Sequence, residues 1–546
     1  MILLLIAASC QLGRKKESTT IDQRPNILLI VADDMGYSDI GPYGGEIHTP
    51  TLDMLAEQGV LLSNFHVLPT CSPTRSVLLS GTDNHIAGLG SMAEITTPKQ
   101  KGKPGYEGFL NNTVAHLPQI LKNAGYHTYM SGKWHLGHVM NHRPINKGFE
   151  ETFALLPGGG SHWADRLPLS PPQTMVYARN GEVIDNLPVD FYSTKNYTNY
   201  LLEWLERDKN DQQPFFAYLS YTAPHDPLHA PKTYIDKYKG KYDNGFNVLR
   251  TERFESLKAL GIIPKTANIF PWSGPVWGDL TAEEKKESSR DMEVYAAMIE
   301  YMDEQISRIL SWLKENNKMD NTFIIFFSDN GANGAMNTAY PGQTEEFINS
   351  FDNSLENKGL PGSYTEMGPA WATASMAPHR LFKSFTTEGG IISPCIVKLP
   401  STISSELKMN KAFTHVSDIM PTFLELAEAS HPSNKNSAVP QMMGKSLLPL
   451  LRGKKEEIHF NDGIGYELHG MRAYIKNEWK IVNLPKPFGK GDWELFNLEE
   501  DPAESNDLSK QYPEKRDELI SAWEEYSKNV GIIFDPLDIK GIMEHD

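Results

Sequence analysis

Cysteine is nearly absent from this chain, with three in 546 residues: Cys10, Cys71 and Cys395. So few thiols exclude a disulfide framework, and the fold must be held by its core. Basic charge is also scarce, with 52 Lys and Arg against 69 Asp and Glu and a net charge of −17. That balance excludes the clustered cationic surface a nucleic-acid binder presents to phosphates, so no nucleic-acid partner is expected and any anion site must be built locally. No apolar run reaches the about 20 residues that span a bilayer. There is no internal repeat and no extended low-complexity tract. Hydrophobic residues at 40% and charged residues at 22% exclude general disorder.

The chain starts Met1-Ile-Leu-Leu-Leu-Ile-Ala-Ala-Ser-Cys10. Small residues before a cysteine resemble the end of a bacterial lipoprotein signal, although the usual positive n-region is missing. The expectation is an exported protein, periplasmic or outer-membrane-anchored, with a lipid anchor at Cys10. Residues 1–24 are then a leader and tether.

Beyond residue 24, short apolar runs alternate with helical patterns, which predicts an α/β fold with a mainly parallel sheet. Strands are expected at Asn26–Val31, Val60–Phe65, Tyr126–Met130, Phe215–Leu219 and Thr322–Phe327. Thr49, Pro50 and Gly59 mark the cap, first turn and end of a helix. Met292, Tyr295, Ile299, Met302, Ile306, Leu310 and Leu313 recur at spacings of three and four, a packing face on a helix over 281–314. Residues 333–379, rich in Gly, Pro, Asn and Ser, read as a structured excursion. Residues 431–444 read as a linker, dividing a unit at 25–445 from a smaller α+β unit at 446–546. That unit holds strands at 471–476, 479–484 and 493–498 and a helix at 514–530.

The expected strands run into polar residues: Asp33 and Asp34, then Lys133 and His135, then His225, then Asp329 and Asn330. Open α/β sheets bind ligands at this edge. Asp33, Asp34, Asp329 and Asn330 offer hard oxygen atoms, which favours Ca²⁺ or Mg²⁺ over zinc, with Ca²⁺ preferred because its larger shell leaves room for substrate oxygens. Crowded carboxylates also predict a divalent counter-charge. Cys71-Ser72-Pro73-Thr74-Arg75 opens a further helix, where free amides and the Arg75 fork suit an anion. Cys-x-Pro-x-Arg is expected by chance in roughly one of 200 such chains.

This pentapeptide resembles the formylglycine signature of type I sulfatases, in which the cysteine becomes an aldehyde after synthesis. Gly125-Tyr-His-Thr-Tyr-Met-Ser-Gly-Lys133-Trp-His135-Leu-Gly137 resembles a second signature of that family. The likeness runs from Pro25 to about residue 530 and is nearest to bacterial arylsulfatases. It implies an alkaline-phosphatase-like α/β fold, flanked by helices, with a small C-terminal α+β domain. It also implies sulfate-ester hydrolysis, on aryl sulfates or sulfated carbohydrates, and a maturation enzyme that makes formylglycine (3-oxoalanine) from Cys71. On the same resemblance, Asp33, Asp34, Asp329, Asn330 and residue 71 hold calcium. Arg75 and Lys133 hold the hydrated aldehyde and the sulfate, and His135 lies beside its second hydroxyl. His225 and Lys383 contact the sulfate and the leaving oxygen. Related hydrolases of phosphonate monoesters and phosphodiesters, and a non-catalytic lipoprotein binding sulfated glycans, are the alternatives.

The remaining candidates carry less. His48, His66, His85, His116 and His415 lack a partner at ligand spacing and read as surface or core positions. His162 and Trp163 follow Gly158–Gly160 and are expected to line the leaving-group pocket, with specificity residing there and in 333–379. Cys395 reads as core packing. Asn111 and Asn196 stand in glycosylation-type sequons that the leader makes coincidental.

Overall fold

The computed structural model describes residues 23–537 except 170, 172–173 and 272–273. Residues 1–22 of the expected leader and tether, Cys10 among them, lie outside the described residues. Four parallel strands form the centre of a ten-stranded sheet: β1 (Asn26–Ala32), β2 (His127–Lys133), β3 (Phe215–Ser220) and β4 (Thr322–Ser328), in spatial order β4-β1-β3-β2. Each is buried on both faces, apart from half-buried His127, which is why each reads as a nearly unbroken apolar run. Ile27 pairs with Phe216 on one side and Phe323 on the other, and this register carries the three strands to a common end.

Three helices matter for the site. α1 (Cys71–Ser80) is buried along its whole length. α2 (Ala282–Glu315) starts with the Thr281/Glu284 capping box and buries all seven residues of the predicted face. α2 is more than packing, since Tyr295 Oη donates to Asp39 at 2.6 Å and lies 3.3 Å from the Asp34 carbonyl. α3 (Pro513–Val530) covers a four-stranded antiparallel sheet made by 463–468, 471–476, 479–483 and 493–497. Ile481, Leu495, Leu519 and Trp523 give this unit a small core of its own. Tyr466, Met471 and Phe496 from the same sheet join the main core. Among the described residues, no helix is long and apolar enough to cross a membrane.

The expected strand at 60–65 is corrected. A turn at Ser63 and Asn64 breaks it: Val60–Leu62 joins the large sheet, whereas Phe65–His66 pairs with 392–393 and 414–415 in a separate three-stranded sheet. The short strands at 151–155, 177–179, 182–184 and 463–468 add to those expected.

Candidate active site

Beyond the ends of β1 to β4 the polar residues converge. Asp33, Asp34, Cys71, Arg75, Lys133, His135, His225, Asp329, Asn330 and Lys383 lie together, none more than 6% exposed. Asp34 and His135 have φ of 64° and 55°, left-handed values a non-glycine residue rarely adopts. Such strain gathers at functional sites, where surrounding contacts hold it. Lys383, the residue least anchored by sequence, is fixed by backbone bonds from its own N–H to Ala332 and from Ser384 to Pro69.

Three carboxylates meet three cations. Lys133 Nζ donates to both Asp33 oxygens at 2.9 and 2.7 Å, and Lys383 Nζ to Asp34 Oδ2 at 2.7 Å. Arg75 Nε reaches Asp329 Oδ2 at 2.8 Å, and its Nη1 also meets the Lys133 carbonyl, Tyr218 and Ser220. Arg75, Lys133 and Lys383 thus each stand against one of the three carboxylates, so charge balance alone does not argue for or against the expected divalent ion. A different observation fits an ion. Asn330 Oδ1 is buried and has no hydrogen-bond partner among the described residues, while its Nδ2 donates to Asp34 Oδ1 at 2.6 Å. A buried amide oxygen without a donor is costly, and a hard cation would satisfy it. Ligand atoms from Asp33, Asp34, Cys71 and His225 also lie within 4.8 Å of one another.

The electrostatics set the protonation states. Burial pushes the Cys71 thiol well above its ordinary value, although Lys133 and Lys383 oppose this. Its Sγ lies 3.4 Å from Asp33 Oδ1. As a thiol it is protonated at neutral pH and a weak nucleophile. Burial, reinforced by Lys383 and Lys133, takes His225 down to about 4 against the pull of Asp34, so the ring is neutral. Its Nδ1 donates to the Asp226 carbonyl at 2.6 Å, which leaves Nε2 to accept from Lys383 Nζ at 3.2 Å.

A cavity of about 210 Å³ opens beside Cys71, His135, His225 and Lys383. Its outer wall is mostly apolar, with Met92, Ile95, Leu169, Met175 and Tyr340. Residues 333–341 supply part of that wall, as does the C-terminal unit through His469 and Leu537, two residues the sequence did not single out. The expectation for His162 and Trp163 is corrected, since the cavity is lined by Gly158 and Gly159 instead. His162 is buried behind it, bonding to Ser193 Oγ at 2.7 Å and to the His225 carbonyl at 2.9 Å, and Trp163 packs on Tyr192.

The other histidines sit where their isolation predicted. His66 bonds to Glu388, His85 to Asp83, His415 to Ser417 and His116 to the Asn111 carbonyl, while His48 is exposed. Cys395 is fully buried in a strand at 395–398. Asn111 turns inward, its amide donating to the Ile86 carbonyl at 2.9 Å.

The acidic, lysine-rich and histidine-bearing pocket thus lies at the strand ends of a mainly parallel α/β sheet, where such sheets bind ligands. Comparison with known proteins gives the family. Residues 25–429 match the sulfatase family, and residues 378–528 match the C-terminal region of N-sulphoglucosamine sulphohydrolase. An uncharacterised sulfatase of Schizosaccharomyces pombe is 46% identical over 541 residues, covering 94% of this chain and 96% of that protein. An arylsulfatase of Klebsiella aerogenes is 40% identical over 430 residues, covering 78% and 91%. The crystal structure of Ps i-CgsB in complex with k-i-k-neocarrahexaose is similar in fold, with a TM-score of 0.66, 24% identity and coverage of 92% and 93%. The chain belongs to the sulfatase family and is a sulfuric ester hydrolase.

Proposed function

We propose that this enzyme hydrolyses sulfate monoesters with an apolar aryl or alkyl leaving group, using residue 71 as formylglycine and one Ca²⁺ ion. The state of Cys71 carries the reading. A thiol held protonated at a helix entrance, between two carboxylates and two lysines, has no evident use as it stands. Converted to an aldehyde and hydrated, the residue supplies an oxygen nucleophile at that place. Because Cys71 is 1% exposed, the maturation enzyme must act before the chain closes around it.

Asp33, Asp34, Asp329, Asn330 and residue 71 would hold the ion. When bound, it supplies Lewis-acid stabilisation of the sulfate oxygens. Arg75, tied down by Asp329, Tyr218 and Ser220, orients residue 71. Lys133 and Lys383 turn from Asp33 and Asp34 towards the sulfate, where their charge stabilises the transition state. The leaving oxygen takes its proton from the Lys383–His225 pair. As an imidazolium, His225 donates that proton from Nε2, with Lys383 Nζ 3.2 Å away keeping its charge beside the sulfate. Once sulfur has passed to one oxygen of the hydrate and its bond to the leaving oxygen has broken, His135 accepts the proton of the second hydroxyl, the aldehyde C=O re-forms and the C–O bond to sulfate breaks.

The mostly apolar cavity wall supports an aryl or alkyl leaving group. Parallel assays of an aryl sulfate, an alkyl sulfate, a sulfated monosaccharide and an aryl phosphonate ester test this. The highest kcat/KM is expected on the first two, and preference for the sugar or the phosphonate would overturn the assignment. Binding of sulfated glycans without turnover would support the lipoprotein alternative. For localisation we propose export with lipidation at Cys10, supported by the sequence of the start alone. Incorporation of labelled fatty acid, lost in Cys10→Ala, is the expected result.

A further inference from the structure

His135 bonds through Nε2 to Glu94 Oε2 at 3.3 Å. Glu94 sits in a short turn at Ala93–Ile95, remote in sequence from any strand, and its side chain is 14% exposed. The other ring nitrogen, His135 Nδ1, is buried and has no hydrogen-bond partner among the described residues. The ring lines the same cavity as Cys71, His225 and Lys383. It is held by the left-handed backbone at His135, by the backbone N–H of that residue donating to the Leu156 carbonyl, and by Gly158, where a side chain would meet the ring.

A carboxylate on one imidazole nitrogen fixes which nitrogen carries the proton. We infer that Glu94 is a positioning residue for the sulfatase reaction: it holds the proton of His135 on Nε2 and so keeps Nδ1 as a lone pair available to the reacting group. The logic is that of a carboxylate–histidine pair beside a nucleophile. This inference rests on the proposed formylglycine chemistry. The proton balance is direct: the hydroxyl proton of residue 71 moves to Nδ1, the ring becomes an imidazolium, and the Glu94 carboxylate faces that positive charge. Burial lowers the His135 pKa in the free protein, so the ring starts neutral and able to accept. Without Glu94 either tautomer would be open to it, and one of them places a proton on the nitrogen that must accept.

The test uses Glu94→Gln, Glu94→Ala, His135→Ala and the double variant Glu94→Gln/His135→Ala in the full chain. The aldehyde content at residue 71 is measured by mass in each, so that a loss of conversion is not read as a loss of positioning. Glu94→Gln is expected to lower kcat roughly 10–100-fold with KM little changed, and the double variant to be no slower than His135→Ala alone. Wild-type kcat in both Glu94 variants, or losses that add in the double variant, would overturn the inference. A second readout needs no turnover. Long-range ¹H–¹⁵N spectra of the full chain, with the His135 signal assigned by its loss in His135→Ala, should show the Nε2–H tautomer in the wild type and a mixture in Glu94→Gln. An Nδ1–H ring in the wild type would contradict it. Should residue 71 prove to be a thiol in an inactive protein, the formylglycine reading fails, while the spectra still decide whether Glu94 sets the tautomer.

Discussion

Lys383 Nζ lies 2.7 Å from Asp34 Oδ2, a buried contact between residues 349 positions apart in the chain. It pins the end of the long excursion to the end of the first strand, and Lys133 makes the matching contact to Asp33. The pocket is thus built with two of its lysines parked on two of its carboxylates.

Removing one partner of such a pair leaves a buried charge exposed to the low dielectric. Lys383→Met is expected to cost about 3–5 kcal/mol of stability and to lower kcat/KM by about 100-fold or more. Thermal melts with and without Ca²⁺ check the first part, because a cation at Asp34 should restore some of the lost stability. Equal melting temperatures of variant and wild type would show that the contact carries little.

Asn330 Oδ1 gives a metal-specific prediction. Chelation should abolish activity and Ca²⁺ should restore it. Asn330→Ala should raise the Ca²⁺ concentration for half-maximal activity by about 10-fold or more. Full activity in the chelated wild type would remove the ion from the account.

Gly158 faces the His135 ring so closely that an added Cβ would lie 2.6 Å from Cε1. Gly158→Ala must therefore displace the ring, and a shift near 1 Å in an aligned group can cost about 100-fold in rate. The expected result is a fall in kcat with Ca²⁺ dependence unchanged, read by steady-state kinetics across Ca²⁺ concentrations.

His85, in the short helix Asn84–Ala87 that follows α1, links it to the C-terminal sheet, 2.9 Å from Asp83 and 3.5 Å from Glu467. Burial disfavours its charge, but the two carboxylates outweigh burial and raise its pKa from 6.5 to about 9. A raised folded-state pKa stabilises fully below the unfolded value and is lost as pH rises through the folded one. Wild-type melting temperature should therefore fall between about pH 6.5 and 9, and His85→Gln should be less stable at pH 6 and flatter over that window. Parallel pH dependence of the two proteins would exclude this link.

The central strands were legible because burial on both faces leaves them as apolar runs, and their polar exits gave Asp33, Asp34, Lys133, His135, His225, Asp329 and Asn330. What was not legible depends on contacts between distant segments. Glu94 lies in a polar loop with no periodicity, and only the fold brings it to His135. His469 and Leu537 reach the cavity from the C-terminal unit, which its hairpin spacing could reveal but not place. Trp163 misled because an aromatic after three glycines looks like a mobile loop, whereas it packs on Tyr192 with ring centroids 4.6 Å apart. Nor does charge crowding in the sequence reveal which lysines lie against the carboxylates, as Lys133 and Lys383 do against Asp33 and Asp34.

The central claim is the identity of residue 71, and the mass of the peptide containing it, from protein made in its own cells, tests it most directly. An aldehyde or its hydrate is the predicted result. An unmodified thiol in protein that still turns over sulfate esters would contradict the account, because the buried thiol described here is no nucleophile.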